Sequence, residues 1–152
     1  MTLLDSTFTS NRNGPAVDAC LHTATMARLT FTNNTGSNSL APGADLLVWG
    51  AVATLSESRF SNSRGGTGDG KHSGAVMVKA AGSLHVLDSV FEDTVSEGDG
   101  GSIAVIEGSH AEFIRTTFER SEGLYGGIAT VKDESTTLFY QCELMQGLGY
   151  GG

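Results

Sequence analysis

The chain of 152 residues has few basic side chains. It carries 9 Lys and Arg residues against 17 Asp and Glu residues, which leaves a net charge of −8 at pH 7. Proteins that bind nucleic acid neutralise its phosphates with clustered Lys and Arg. The charge balance therefore argues against a nucleic-acid partner.

Long apolar segments are also missing. The longest apolar run covers residues 46–55, whereas a helix needs about 20 apolar residues to cross a bilayer. The residues that follow Met1 lack the basic and apolar regions of a signal peptide. We therefore predict no transmembrane segment, and no leader sequence is visible.

What the chain has in excess is glycine, together with an internal repeat. Glycine accounts for 21 of the 152 residues, about twice its usual share. A short phrase around a hydrophobic anchor, Thr7-Phe8-Thr9-Ser10-Asn11 in its first copy and weaker in the later ones, recurs at intervals of 23, 29, 31, 27 and 26 residues. A period in this range predicts a solenoid or a repeat array. The anchors are Phe8, Phe31, Phe60, Phe91, Phe118 and Leu144.

Each repeat divides into a segment of constant length and a segment of variable length. A glycine stands 17 residues before every anchor except the first. All variation in length falls between an anchor and the next of these glycines. Each repeat is thus predicted to be a rigid arc followed by one variable loop. The glycines are Gly14, Gly43, Gly74, Gly101 and Gly127.

Within the arc, the apolar residues follow a strand pattern. Val76 and Val78 are typical: candidate inward residues recur at a spacing of two, and wider jumps separate such groups. A period of two predicts β-strands, and the jumps predict corners. The first two arcs fit only after a slip of one residue, because strict phasing would turn Asp18 and Asp45 inward. We expect a bulge or an altered corner there.

These patterns predict an all-β chain in which residues 1–152 form one segment of a parallel β-helix. This solenoid would have about 5–6 coils of about 27 residues each. The anchors should stack inside it as an aromatic ladder, which we expect to be the main stabilising element. Small residues two positions before the anchors, such as Ser58 and Ser89, should form a second ladder. An antiparallel sandwich is the alternative, but its strands would not repeat one template.

Two tetrapeptide motifs carry a resemblance to a known family. Phe8-Thr9-Ser10-Asn11 is a Phe-x-x-Asn motif, and Gly100-Gly101-Ser102-Ile103 is similar to a Gly-Gly-Ala-Ile motif. Paired over essentially the whole chain, they resemble the polymorphic outer-membrane protein repeats of chlamydial surface autotransporters, although later copies replace the Asn. The resemblance implies a right-handed, pectin-lyase-like β-helix. It also implies a place at the cell surface or outside the cell, associated with the outer membrane in a bacterium.

The two ends and the two cysteines add two expectations. Solenoids need polar caps, and neither end of this chain has one, so we expect an uncapped fragment with neighbouring solenoid coils at both ends. Cys20 and Cys142 lie about 4 coils apart, or about 19 Å at about 4.8 Å per coil. This distance exceeds the ~7 Å limit for a disulfide, so two buried free thiols are predicted.

Enzymatic chemistry finds little support in the residues. Polysaccharide hydrolases and lyases share the predicted fold, but the Asn-Thr-Asp and Gly-His-Gly motifs of the hydrolases do not occur. Asp88, Glu112 and Arg115 are outward charges at different positions of the arc, as expected of a solvated surface. No Ser or Cys has a recognisable activating partner. We therefore predict no catalytic residue, and a carbohydrate-binding or polysaccharide-degrading β-helix is the alternative function.

One cofactor is worth considering. Asp69 and Asp99 each lie between two glycines in the loops of successive coils, and Glu97 lies beside the second. Stacked carboxylates on such loops could hold Ca²⁺, although a pair of tight polar turns explains the same residues. We expect no other metal or cofactor.

The variable segments suggest a function. Segments 32–42, 61–73, 92–100 and 119–126 should lie along one edge, where seven acidic residues face three basic ones. Rigid arcs and one variable edge separate scaffold from recognition. The sequence thus predicts a non-enzymatic structural or adhesive module that presents its loops to a protein or glycan partner, preferably a basic one. The sheet face around Met77, Ala104 and Ile106 is the alternative surface.

Overall fold

All regular structure in the described residues is β-strand. The computed structural model describes residues 1–36, 43–65 and 73–149. None of these residues belongs to a helix that is long and apolar enough to cross a membrane. The strands are β1 Thr2–Leu4, β2 Thr7–Thr9, β3 Val17–Cys20, β4 Ala24–Ala27, β5 Thr30–Thr32, β6 Leu46–Trp49, β7 Val52–Ser56, β8 Arg59–Ser61, β9 Val76–Lys79, β10 Ser83–Leu87, β11 Val90–Glu92, β12 Val95–Ser96, β13 Ile103–Val105, β14 His110–Ile114, β15 Thr117–Glu119, β16 Glu122–Gly123, β17 Ala129–Val131, β18 Thr136–Tyr140, β19 Glu143–Met145 and β20 Leu148–Gly149.

The strands form four parallel sheets that wind as a solenoid. The first sheet contains β3, β6, β9, β13 and β17, and the second contains β1, β4, β7, β10, β14 and β18. The third contains β2, β5, β8, β11, β15 and β19, and the small fourth sheet contains β12, β16 and β20. Equivalent strands of successive coils pair in register, as β11 does with β8 and β15. The prediction of an all-β parallel solenoid is confirmed, with about five turns at the ~27-residue spacing that marks a repeat.

The anchors share one register position inside the third sheet. Phe31, Phe60, Phe91 and Phe118 are fully buried, and their rings stack at centroid distances of 4.7, 4.3 and 4.8 Å. Leu144 pairs with Phe118 in the same register but is 52% exposed. The ladder therefore runs through the rod as a continuous stack of rings.

The expected slip is found in the first two coils. Leu46 pairs with Val76, yet it lies three residues after Gly43, whereas Val76 lies two residues after Gly74. Leu46 is buried, and Asp18 on β3 points outward and is exposed. In these coils the glycine therefore lies one residue further from the first strand of the arc than it does in the later coils.

The following corner compensates for the slip. It contains one residue with positive φ in the first two coils, Leu21 and Gly50, at φ 57° in both cases. In the third coil it contains two such residues, Ala80 and Ala81. A corner that is one residue shorter restores the register at the second sheet. The expectation of an altered corner is therefore confirmed.

The two corners on either side of the third sheet are built from left-handed residues that are not glycine. Their φ values lie between 48° and 55°, a region that residues with a Cβ rarely adopt. Asp5 pairs with Arg28 and Asp88 with Arg115 across successive coils, each at 2.6 Å. The corner before the anchors contains Asp5, Arg28, Glu57, Asp88, Arg115 and Gln141, and the corner after them contains Ser10, Asn33, Asn62, Asp93, Arg120 and Gln146.

The outer face of the first sheet is covered around Met77, although it is exposed at Asp18, Cys20 and Trp49. Leu47, Met77, Ala104 and Ile106 are at most 4% exposed and form an apolar cluster of their own. The prediction of an accessible face around Met77, Ala104 and Ile106 is therefore wrong. Its middle strands are apolar at successive positions, over residues 46–49, 76–78 and 103–105, which is typical of a sheet covered on both faces.

Both cysteines are free, but only one is shielded from solvent. Cys20 is exposed, because it follows the outward alternation of β3 next to buried Ala19. Cys142 is half-buried, and its thiol donates a hydrogen bond to the carbonyl of Phe113 at 3.2 Å. The prediction of free thiols is confirmed, whereas the prediction that Cys20 is buried is wrong.

The two thiols should therefore differ in reactivity. In the folded protein we expect Cys20 to react with an alkylating reagent at least ~10-fold faster than Cys142, because reaction requires access to the sulfur. Mass spectrometry of timed iodoacetamide labelling measures both rates in one sample, with Cys20→Ser and Cys142→Ser variants as controls. Equal rates in the folded state would contradict the difference in exposure between the two thiols. A Cys20–Cys142 disulfide would contradict the coil register.

Candidate functional surface at the loop edge

The variable segments leave and rejoin the rod along one edge. Arg64 forms a bridge with Val95, which pairs with Glu122, so three successive segments depart from the same ladder. They return at a second ladder, where Ser73 forms a bridge with Gly100. Segments 92–100 and 119–126 are less irregular than expected, because each contains a strand of the fourth sheet. Residues 37–42 and 66–72 lie outside the described part of the chain.

A row of buried polar side chains closes the base of this edge. Asn34 Nδ2 donates a hydrogen bond to Asp45 Oδ1 at 2.7 Å. Two coils further on, the Thr94 and Ser102 hydroxyls lie 2.7 Å apart, and Ser102 and Ser121 lie 2.6 Å apart. All five side chains are buried. We call this row the polar seam; it joins polar residues that lie two positions after an anchor strand to the start of an adjacent arc.

The seam explains the Asn of the Phe-x-x-Asn motif. The motif places Asn34 three residues after Phe31, where its amide turns into the rod and reaches Asp45. In later coils Thr94 and Ser121 occupy the same position and hydrogen bond to Ser102 instead. Loss of the Asn therefore changes the partner but keeps the position polar.

Among the residues that the structure describes, Asp45 is the one carboxylate of this seam. Burial raises its pKa to about 7, and contacts with Ser63 and Asn34 counter only part of this rise. Among the described residues, Asp45 Oδ2 and the Ser63 hydroxyl have no hydrogen-bond partner of good geometry. Within the described part of the chain, the carboxyl contacts one amide and lies near one hydroxyl but forms no ion pair, so it is protonated at mildly acidic pH.

On the outside of the edge, most charges neutralise one another. Arg59 pairs with Glu92 at 2.5 Å. Arg120 pairs with Asp93 at 2.6 Å and with Glu119, and it lies 4.0 Å from Glu92. The hydrogen bond from Arg120 holds the pKa of the Asp93 carboxyl below its usual range. The acidic excess predicted for this edge is real in number, but much of it is compensated locally.

The proposed Ca²⁺ ligands do not come together in the described residues. Asp69 lies outside them, and Glu97 is exposed. Asp99 is only 7% exposed, and its Oδ2 accepts a hydrogen bond from Lys132 Nζ at 2.7 Å. Within residues 1–36, 43–65 and 73–149, no three His, Cys, Asp or Glu side chains are placed to hold a metal ion. Calcium binding stays a prediction.

A groove of about 490 Å³ runs along the edge beside the charge network. One side is the corner after the anchors, and the other is the outward face of the fourth sheet. Residues of successive coils thus line it in two columns. These are Asp93, Arg120 and Gln146 on one side and Val95, Glu122 and Leu148 on the other. We call it the edge groove.

The charged residues considered for catalysis have separate partners. Arg115 Nε and Nη2 bind the two carboxylate oxygens of Asp88 at 2.6 and 2.7 Å. Glu112 pairs with His85 Nδ1 at 2.7 Å on the outer face of the second sheet. Asp88 and Glu112 therefore contact different partners, and the structure does not join them in one site.

Comparisons with protein-family models, with curated proteins and with solved structures found no match. The parallel β-solenoid follows from the strand pairing itself. The likeness to polymorphic outer-membrane protein repeats, and to pectin-lyase-like proteins, rests on the tetrapeptide motifs alone.

Proposed function

We propose that the chain is a non-enzymatic structural and adhesive module, a rigid rod that presents its loop edge to a protein or glycan partner. In agreement with the motif resemblance, we place it at the cell surface or outside the cell. The observation that carries this proposal is the division between ladders of constant register and segments of variable length. Such a division is typical of a scaffold with a recognition surface.

The rigid part is cross-linked from coil to coil. The anchor rings stack, and small hydroxyl residues bridge successive corners. Ser58 Oγ accepts from the backbone N–H of Leu29, and Ser89 Oγ accepts from that of Ser58, both at 3.1 Å. These contacts leave little freedom for the arcs, so the edge segments are held in a fixed line.

The edge can vary at little cost to the fold. Changing the length of a surface loop changes its closure entropy by well under about 1 kcal/mol. The segment after β12 is anchored to the rod through Asp99 and Lys132, and Leu124 donates a backbone hydrogen bond to Gly98. This segment is therefore held in a defined conformation against the rod and presents a defined surface.

Shortening this segment tests the proposal. Replacing residues 97–99 with a single Ser removes the contacts of Asp99 and Gly98 but no residue of a strand ladder, so the protein should stay folded, with a melting temperature a few degrees below that of the wild type. Adhesion of protein-coated beads to mucin, collagen and cultured cells should fall several-fold. Val52→Ser, on the exposed outer face of the second sheet, is the control and should bind normally. Full adhesion after shortening of this and every other edge segment would refute the proposal.

One observation favours the carbohydrate alternative. Trp49, the only tryptophan of the chain, is 42% exposed, and Lys79 Nζ lies 4.3 Å from its ring centroid. An exposed aromatic ring beside a cation suits a sugar that carries a carboxylate. A change in Trp49 fluorescence on titration with an acidic polysaccharide would support binding, and release of reducing sugars would support degradation.

A further inference from the structure

We infer that the edge groove binds a cationic, partly apolar peptide segment, a stretch of a partner protein in which Lys or Arg stands next to an aliphatic residue. The inference rests on the proposed function and names the chemistry of the partner. It is argued from the shape of the groove, from its apolar wall and from one carboxylate that has no ion-pair partner in the charge network.

The size and shape of the groove suit a few side chains. Its volume of about 490 Å³ lies within the range of about 300–1,000 Å³ that is usual for ligand sites. It is lined by residues of three successive coils, which spaces them about 4.8 Å apart along the rod. A ligand that follows the groove would therefore lie along the rod axis.

The wall formed by the fourth sheet is partly apolar. Val95 and Leu148 face the groove on either side of Glu122 in one register column. Leu148 is 57% exposed, and Val95 is half-buried. Aliphatic side chains of a ligand would pack on Val95 and Leu148, and a positively charged side chain of the ligand would pair with Glu122 between them.

The charge left over in the groove is negative. Around it stand four carboxylates, those of Glu92, Asp93, Glu119 and Glu122, and three guanidinium groups, those of Arg59, Arg120 and the exposed Arg64, which precedes Val95 in the same register column. Arg59 and Arg120 are engaged by the first three carboxylates, and four negative charges face three positive ones.

Glu122 is the carboxylate without a counter-ion. Among the described residues it forms no ion pair. A Lys or Arg of the ligand would supply the missing charge, whereas a phosphate, sulfate or uronate would be repelled. The chain as a whole carries −8, which opposes an anionic polymer further.

Peptide binding to the whole chain tests the inference. The probes are three fluorescein-labelled hexapeptides, with alternating Lys-Leu, alternating Lys-Ser and alternating Glu-Leu. Fluorescence anisotropy should show saturable binding of the Lys-Leu peptide and at least ~10-fold weaker binding of the other two. Equal binding of the Lys-Ser peptide would show that the apolar wall is irrelevant, and preference for the Glu-Leu peptide would invert the charge; either result overturns the inference.

Substitutions locate the site. Glu122→Gln should weaken binding of the Lys-Leu peptide about 10-fold, the usual effect of removing one charged hydrogen bond. Leu148→Ser should weaken it as well, and Glu122→Lys should shift the preference to the Glu-Leu peptide. Glu57→Gln removes the same charge at the corner before the anchors and should change nothing. Equal losses in the Glu122→Gln and Glu57→Gln variants would show non-specific attraction and overturn the inference.

The bead assay separates this inference from the proposed function. If adhesion falls on shortening of residues 97–99 but the Lys-Leu peptide does not bind, the function stands and the edge groove is not its site. If adhesion survives shortening of every edge segment, the function fails whatever the peptides show. Melting curves of the Glu122 variants that match the wild type confirm that the substitutions leave the fold intact.

Discussion

Replacing Phe91 with alanine should lower the free energy of unfolding by about 3–5 kcal/mol, the usual cost of removing a fully buried ring. Phe91 has no exposed surface, and its ring stacks on Phe60 at 4.3 Å and on Phe118 at 4.8 Å. Phe113 meets its edge at 6.3 Å. The backbones above and below are fixed by ladder hydrogen bonds, so the rod cannot collapse to fill the cavity.

Urea unfolding followed by circular dichroism measures this loss. Phe8→Ala is the matched control, because Phe8 occupies the same ladder but is only partly buried and stacks on Phe31 alone, at 5.0 Å. It should cost clearly less than Phe91→Ala. A Phe91→Ala variant that melts like the wild type would show that the aromatic ladder is not the main stabilising element.

Replacing Asp45 with asparagine should stabilise the protein at pH 8 by up to about 4 kcal/mol, the free energy equivalent of the pKa difference. The pKa of this carboxyl is about 7 in the folded protein and 3.8 when unperturbed. Between these values the folded state holds a proton that the unfolded state has lost. Wild-type stability should therefore be unaffected by Asp45 below about pH 4, fall as the pH rises to about 7, and level off above it. Asparagine carries no charge at any of these pH values.

The difference between the two proteins is the quantity to measure. Urea unfolding of the wild type and of Asp45→Asn at pH 5 and pH 8 cancels the contributions of other titrating groups. The advantage of the variant should be larger at pH 8, because the buried wild-type carboxyl is ionised there and mostly protonated at pH 5. At both pH values Asn can accept from Asn34 and donate towards Ser63. Asp18→Asn, an exposed carboxylate on the neighbouring strand, should show no such trend. Equal stability of wild type and Asp45→Asn at pH 8 would show that the carboxyl is solvated.

The repeating ladders could be predicted because a parallel solenoid stacks equivalent residues. Phe60 and Phe91 can lie ring on ring only if their strands are in register, so their recurrence identifies the period and the inward face together. The slip in the first two coils was also visible, because Asp18 could not face an apolar interior. The length of the compensating corner could not be read, since Ala80 and Ala81 carry no sign of a left-handed conformation.

Other features left weaker traces. The left-handed corners contain residues such as Arg28 and Glu57, which have no preference for positive φ, so only their fixed distance from the anchors could have revealed them. The covered outer face of the first sheet did leave a signal, because Val76, Met77 and Val78 are all apolar where alternation would require a polar residue. The exposed position of Cys20 follows from the same strand alternation once the slip is applied.

The candidate site was the least predictable part. Asn34 and Asp45 lie on either side of a variable segment, and nothing in the spacing of 11 residues shows that they meet. The edge groove joins residues from three coils, so no linear motif describes it. Arg120 pairs with Asp93 and Glu119 because of the corner geometry. Composition alone counts these charges as an acidic excess and does not show that they pair.

The direction of the ladder hydrogen bonds has a mechanical consequence. They run from coil to coil, parallel to the rod, so tension between the two ends loads the outermost coil first and peels it from its neighbour. Each coil that comes away replaces about 4.8 Å of rod with about 90 Å of extended chain, for roughly 27 residues at ~3.4 Å each. A rod of this kind lengthens stepwise under load, and each remaining coil is a template on which the released chain can rewind.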